Sequence, residues 1–215
     1  MFRTNIQDLS YLLKEKETRY TFRKLEKKDV YNTQRLMINA FLSHNPVIQL
    51  LQAKEQDIKV LQSIEIFDRI IQENLSFGAF EEGKLVSACL TCDLKTDMQD
   101  EGVQPTLVAS EIIGIIDILL GKYVASKERD YKEVAYLNHL GTHTDYLRQS
   151  LAVVCAYLSI EECRRQGFKQ LLTESWHQGT YSTFSKIFTN FDVIKEIHEI
   201  REQQVELISL VGQLN

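Results

Sequence analysis

"HTDYLRQSLAVVCAYLSIEECRRQGF", residues 143–168, decides how this chain of 215 residues is read. Leu151, Val154, Cys155 and Leu158 recur at the spacing of one helical face, which predicts a helix buried along that stripe. Gly167 stands where a left-handed residue would end it. The residues ahead of the helix are polar and turn-forming, and "EVAYLNHLGT" before them alternates as a strand. A strand, a tight turn and a helix N-terminus in succession bring backbone N–H groups together, an arrangement that can hold a phosphate. Such turns favour glycine because the backbone must come close to the ligand. This turn has none.

Working outward, residues 1–19 read as a short amphipathic helix or arm, and "YTFRKLEKKD" as a first strand. Asp29 is placed to cap a helix from Val30 to about Leu42. Pro46 suits the first position of a second helix, along which Ile58, Leu61, Ile64, Phe67, Ile71 and Leu75 keep helical spacing. "FGAFEE" and "KLVSACLTCDL" are strands joined through Glu82-Gly83, a hairpin dipeptide. An insertion over about 94–130 carries the helix "TLVASEIIGIIDILLGKY". After the quoted helix come the strand "FKQLLTE", a short helix from about Tyr181 to Thr189, and strands in "FDVIKEIHEI" and "VELISLVGQL". This order predicts an α/β fold, one domain over residues 20–215, with a mixed central sheet of about seven strands flanked by helices.

Composition narrows the function classes. Apolar residues make up 44% and charged residues 26%, enough for a real core. The formal charge is −5 with Lys and Arg scattered, so no nucleic-acid surface is expected. The most apolar run, "EIIGIIDILLG", is short and broken by Asp117, so no membrane span is expected. "MFRTNIQDLSYLLKEKE" has no signal-peptide core, which points to the cytoplasm. Cys89 and Cys92 form a CxxC, but on a strand their side chains face opposite ways, so they read as buried thiols. His139 and His143 are four residues apart on a strand, about 13 Å, too far to share a metal. No metal is expected.

With these residues in place, the chain resembles the GNAT superfamily of N-acetyltransferases, above all the arylalkylamine type. The element order carries the resemblance, together with "AFLSHNPVIQLL", the quoted stretch and "YSTFSKIFTNFDVIKEI". It implies an acyl-CoA N-acyltransferase fold with acetyl-CoA as co-substrate. The family's Arg/Gln-x-x-Gly-x-Gly/Ala loop falls on Leu147, Arg148, Gln149, Ser150, Leu151 and Ala152. Ala152 keeps the last position, Ser150 replaces the middle glycine, and Leu147 replaces the leading Arg or Gln. The donor for the thioester oxygen would lie near Gly141 or Thr142, with Gly141 forming a bulge. Asn190 stands where the family has glycine, and would serve as a left-handed residue.

The family's general base, the Glu of a Glu-Pro pair, is replaced here by Asn45. His44, His139 and His143 are the candidates to take over. Tyr181, Ser182 and Ser185 fall where the family places the acid for the CoA thiolate, although "GTYS" would also cap a helix. Glu174 would relay a proton through water, and Trp176 would be core or pocket wall. Two functions follow from the resemblance. One is acetyl transfer from acetyl-CoA to a small primary amine in a ternary complex. The other is a catalytically inactive GNAT-fold subunit that binds protein partners, with the 107–123 helix as lid or docking face.

Overall fold

Alternating strand patterns and three apolar helix faces assemble around one sheet in the computed structural model, which describes residues 6–97, 104–124 and 132–214. Helix α1 (Ser10–Lys16) leads to β1 (Thr21–Lys24), then α2 (Val30–His44), α3 (Pro46–Leu50), α4 (Glu55–Leu61) and α5 (Ile64–Gln72). The hairpin β2 (Phe77–Glu81) and β3 (Lys84–Asp93) follows, then α6 (Leu94–Asp97) and α7 (Leu107–Val124). Next come β4 (Val134–Thr142), α8 (Leu151–Gln166), β5 (Gln170–Ser175), α9 (Gln178–Ile187), β6 (Asp192–Ile200) and β7 (Gln203–Gln213). The seven strands form one sheet in the order β1-β2-β3-β4-β5-β7-β6. Every pairing is antiparallel except β4 with β5.

Helices cover both faces. On one, Met37, Phe67 and Ile70 pack on Leu90, Cys92, Tyr136 and Leu172. On the other, Val153, Cys155, Ala156 and Ile160 of α8 pack on Val86, Cys89, Leu137 and Leu171. Cys89 and Cys92 thus lie in opposite cores, as period-two alternation requires. Each large aliphatic side chain buried this way contributes about 1.5–3 kcal/mol. Helix α7 buries Ile112, Ile115 and Leu119 against Ile48, Ile58 and Leu207. Its Leu107, Ile113 and Ile118 stay outside.

Three local expectations are corrected. Between β1 and β2 there are four helices, not two: the chain turns through a left-handed Gln52 (φ 54°), and Ser63 starts α5 by accepting the Ile66 N–H at 3.1 Å. Helical spacing runs on through Leu61 and Ile64, but Ile64 is 37% exposed and lies outside the core. Helix α9 begins at Gln178, capped by the His177 ring, which accepts the Gly179 N–H at 2.9 Å, and not by "GTYS". The chain leaves α9 through an extended Phe188 (φ −103°, ψ 133°), and Asn190 is not left-handed. Gly167 does adopt the left-handed conformation (φ 92°), letting the Phe168 N–H reach the Cys163 carbonyl at 3.1 Å.

Candidate functional site

The sheet opens at its centre. Strand β4 pairs with β5 only where residues 134–136 face 170–172, although β4 runs on to Thr142 and β5 to Ser175. Beyond the last pair, the Thr173 hydroxyl donates to the Leu137 carbonyl at 2.9 Å, spanning the gap where the ladder has ended. Residues 137–142 therefore line a slot about 17 Å long at strand rise. The His143 N–H donates to the Val86 carbonyl at 2.9 Å. Antiparallel alternation then turns the Gly141 N–H toward β3, and the Leu140 and Thr142 N–H groups toward the slot. Of Gly141 and Thr142, it is the Thr142 N–H that faces the slot.

Gly141 is not the bulge. The register shifts so that Leu90 faces His139 while Thr91 faces Leu137, which leaves Asn138 as the extra residue. Gly141 has a different reason to be glycine: a Cβ there would sit 2.7 Å from Met37 Sδ and 3.2 Å from Ala40 Cβ. It lets α2 lie close on β4. Because of the bulge, Tyr136 and His139 project from the same face, opposite Cys92 and Leu90, toward α2 and α5. The Tyr136 hydroxyl donates to Glu174 Oε2 at 2.5 Å. The His139 ring lies 5.2 Å from both Phe41 and Phe67. Its Nδ1 is buried with no hydrogen-bond partner, and burial pushes the imidazole down to about 3.

At the mouth of the slot, a single tight turn from Thr144 to Tyr146 leads to an extended Leu147. Arg148 (φ 60°) and Ser150 (φ 62°) are both left-handed, and α8 starts at Leu151. The loop thus takes the glycine conformation without glycine, at a cost of about 1–2 kcal/mol per residue. Among the described residues, the N–H groups of residues 148–153 find no acceptor in the protein. The first turn of any helix leaves such donors. Here the loop adds more, and Arg148 is exposed without an ion-pair partner among the described residues. The other loop side chains are tied down: Gln149 Oε1 accepts the Tyr20 hydroxyl at 2.5 Å, and Tyr146 donates to Glu81 at 2.5 Å. Arg19 also bonds Glu81 at 2.5 Å, and Tyr146 and Arg19 together hold that carboxyl below the usual range. Leu147 is 41% exposed, and Leu151 and Ala152 begin the helix, Leu151 buried.

The remaining candidates divide. His44, at the end of α2, reaches the loop, with Nε2 3.5 Å from Thr144 Oγ1. His143 stays in its own turn, its Nδ1 accepting the Asp145 N–H at 3.3 Å. Asn45 caps α3, its amide oxygen accepting the Val47 and Ile48 N–H groups at 3.0 and 3.2 Å. Tyr181 lies 5.8 Å from the Phe191 ring and lines a groove of about 330 Å³ between α9 and β6, with Asp192 and Val211. That groove includes no residue of the 144–152 loop. The Ser185 hydroxyl is spent on the Tyr181 carbonyl at 2.9 Å, while Ser182 has no hydrogen bond among the described residues. Trp176 is half-buried in the cluster between α2 and α7. Tyr136 and Ser209, which the sequence pattern does not single out, stand beside Glu174: Tyr136 through its hydroxyl and Ser209 directly across the β5–β7 ladder.

No described group of three or more His, Cys, Asp or Glu side chains could hold a metal ion. No helix among the described residues is long and apolar enough to cross a membrane. No protein-family model matches the chain, and no curated protein matches it in sequence. Solved structures do match. The C-terminal condensation domain of Ebony, in complex with beta-alanyl-dopamine, superposes at TM-score 0.71 with 11% identity, covering 91% of this chain and 99% of that one. Arylalkylamine N-acetyltransferase 2 from Aedes aegypti gives 0.69 with 14% identity over 91% and 99%. The paiA N-acetyltransferase from Thermoplasma acidophilum, in complex with coenzyme A, gives 0.56 with 12% identity over 90% and 98%. The protein has the fold of the GNAT N-acetyltransferases.

Proposed function

We propose that this protein transfers an acetyl group from acetyl-CoA to a small primary amine by direct attack in a ternary complex. The observation that carries this reading is the loop at the mouth of the slot: two left-handed non-glycine residues converge there with N–H groups that have no acceptor, and an Arg148 that has no ion pair, among the described residues. They suit a pyrophosphate, held by Arg148, Gln149, Ser150, Leu151 and Ala152. The thioester arm would run into the slot, where the Thr142 N–H meets the carbonyl oxygen as charge develops. The likeness to a structure holding coenzyme A supports the same placement.

The chemistry balances as follows. The ammonium gives up a proton, its nitrogen lone pair forms the C–N bond, and the tetrahedral intermediate collapses with breakage of the C–S bond. The departing thiolate takes a proton, so the products are an amide, CoA thiol and one proton released. His44 is the base reaching the loop, through water, and Ser182, whose hydroxyl has no hydrogen bond among the described residues, is the α9 group offered to the thiolate. His139 is a neutral wall of the acceptor space rather than a base, because its burial weakens it so far.

A second reading, an inactive binding subunit, is favoured by one observation. Asn45, standing where the family has its base, is committed to capping α3. Calorimetric titration with acetyl-CoA and CoA tests both, beside Ser150→Trp, which fills the loop. Binding lost in the variant, with thiol release on adding an amine, supports the enzyme; binding without turnover supports the subunit. No binding to the folded protein ends the acetyl-transfer reading.

A further inference from the structure

We infer that β6 is the contact through which two copies of this chain form a closed dimer, pairing antiparallel about a two-fold axis at Ile197. This inference is independent of the acetyl-transfer reading. The sheet has two outer strands, β1 and β6, and they differ. β1 is four residues long, and its Arg23 and Lys24 side chains are committed to Asp29 and Glu162. Shortness and basic side chains are devices that keep an edge from pairing. β6 is nine residues long and pairs with β7 from Asp192 to Ile200 without a register shift. Among the described residues, no strand pairs with its outer side. Ile197 is 70% exposed, and Val193, on the same face, is 37% exposed.

The charges along "DVIKEIHEI", residues 192–200, decide what fits this edge. Facing residues of an antiparallel pair turn their backbone groups toward each other, so a strand pairs with its own copy about a single residue. Centring at Lys195, Glu196 or Glu199 sets a charge against itself, which destabilises the pair. Centring at Ile194 sets Asp192 against Glu196, and centring at His198 sets the exposed Ile197 against Glu199. Centring at Ile197 sets Lys195 against Glu199, Glu196 against His198 and Ile194 against Ile200, each twice, with Ile197 on its own copy. Lys195 already bonds Glu206 of its own chain at 3.1 Å, so in the dimer it stands between two carboxylates. The edge is therefore complementary to itself in one register. A single strand pair makes a small interface, so the dimer comes apart on dilution.

Sedimentation velocity on the full chain, from low to high micromolar concentration, is the test. Wild type should pass from monomer to dimer and no further, because the pairing closes on itself. Ile197→Lys sets two cations at the axis, and Glu199→Lys sets a cation against Lys195. Each should weaken the dimer about tenfold or more. Lys195→Glu combined with Glu199→Lys restores opposite charges across the axis and should recover the dimer. Both single substitutions fall on exposed side chains, and circular dichroism checks that every variant folds. A wild type that stays monomeric at the highest concentration overturns the inference, even if another protein's strand binds this edge. So does a dimer that both single variants leave within about twofold of wild type, because the copies then meet elsewhere. A double variant no better than Glu199→Lys overturns it as well, and so does an open-ended series of larger species.

Discussion

Tyr136 and His139, three residues apart on one strand, project from the same face of the sheet. In a regular strand they would point in opposite directions. The single extra residue Asn138 reverses the alternation, so that Cys92 and Leu90, two apart on β3, face both of them. That one residue of slippage decides which β4 side chains beyond it face α2.

His139 makes the folded state sensitive to acid. An unfolded histidine titrates near 6.5, whereas burial holds this one at about 3. Between those values the unfolded chain binds a proton that the folded chain refuses, so stability falls as pH is lowered from 6.5 toward 3. The slope approaches about 1.4 kcal/mol per pH unit. His139→Phe should flatten it, as urea unfolding at pH 7 and pH 5 would show. An unchanged slope in the variant would place the sensitivity elsewhere.

Asn45 should behave as a cap. Asn45→Ala is expected to lower stability by about 1 kcal/mol, and Asn45→Asp to leave it nearly unchanged. CoA affinity should be the same in both. A loss of CoA binding in Asn45→Ala would show that α3 reaches further into the site than its hydrogen bonds indicate.

Ser150 keeps a backbone conformation that glycine takes without strain. Ser150→Gly should hold or raise CoA affinity with little change in melting temperature, since relief of strain is offset by a freer unfolded chain. Ser150→Val, β-branched in the left-handed region, should melt lower and bind worse. Thermal unfolding with and without CoA separates the two effects.

Gly141 and Gly212 predict different costs for one added methyl group. At Gly141 the nearest atom is the flexible Met37 thioether at 2.7 Å, so Gly141→Ala should cost about 1–3 kcal/mol. Met37→Ala should recover part of that loss in the double variant. At Gly212 the Cβ would lie 2.4 Å from the Phe188 ring, which stacks on Phe184 and has little room to turn. Gly212→Ala should therefore cost more, as denaturant unfolding can rank.

Much of this was legible in the sequence, and the parts that were not share a cause. The α8 stripe and Gly167 were readable because a helix face and its cap are written within a few residues. The strands were readable from alternation. The breaks between α3, α4 and α5 were not, because the apolar spacing continues through Leu61 and Ile64 while Gln52 and Ser63 interrupt the backbone. The 147–152 loop was located by resemblance, but that Arg148 shares the left-handed conformation with Ser150 is a property of the folded turn. The bulge was expected at the glycine, and it fell on Asn138, because register is set by pairing with β3 across a long stretch of chain. Tyr136, Glu174 and Ser209 come together only through that pairing.

The slot described above has a consequence for how the protein keeps company with other chains. A strand whose N–H and C=O groups are unmatched is an open template for a neighbour's strand, and proteins blunt such edges or cover them. Here the stretch of β4 beyond Tyr136, where the ladder to β5 has ended, lies in the middle of a seven-stranded sheet, with β5 diverging opposite it. A second protein's strand, flanked by its own sheet, has no approach to it. A slender, flexible chain does. The fold hides this inner edge from macromolecules and leaves it open to a small linear one.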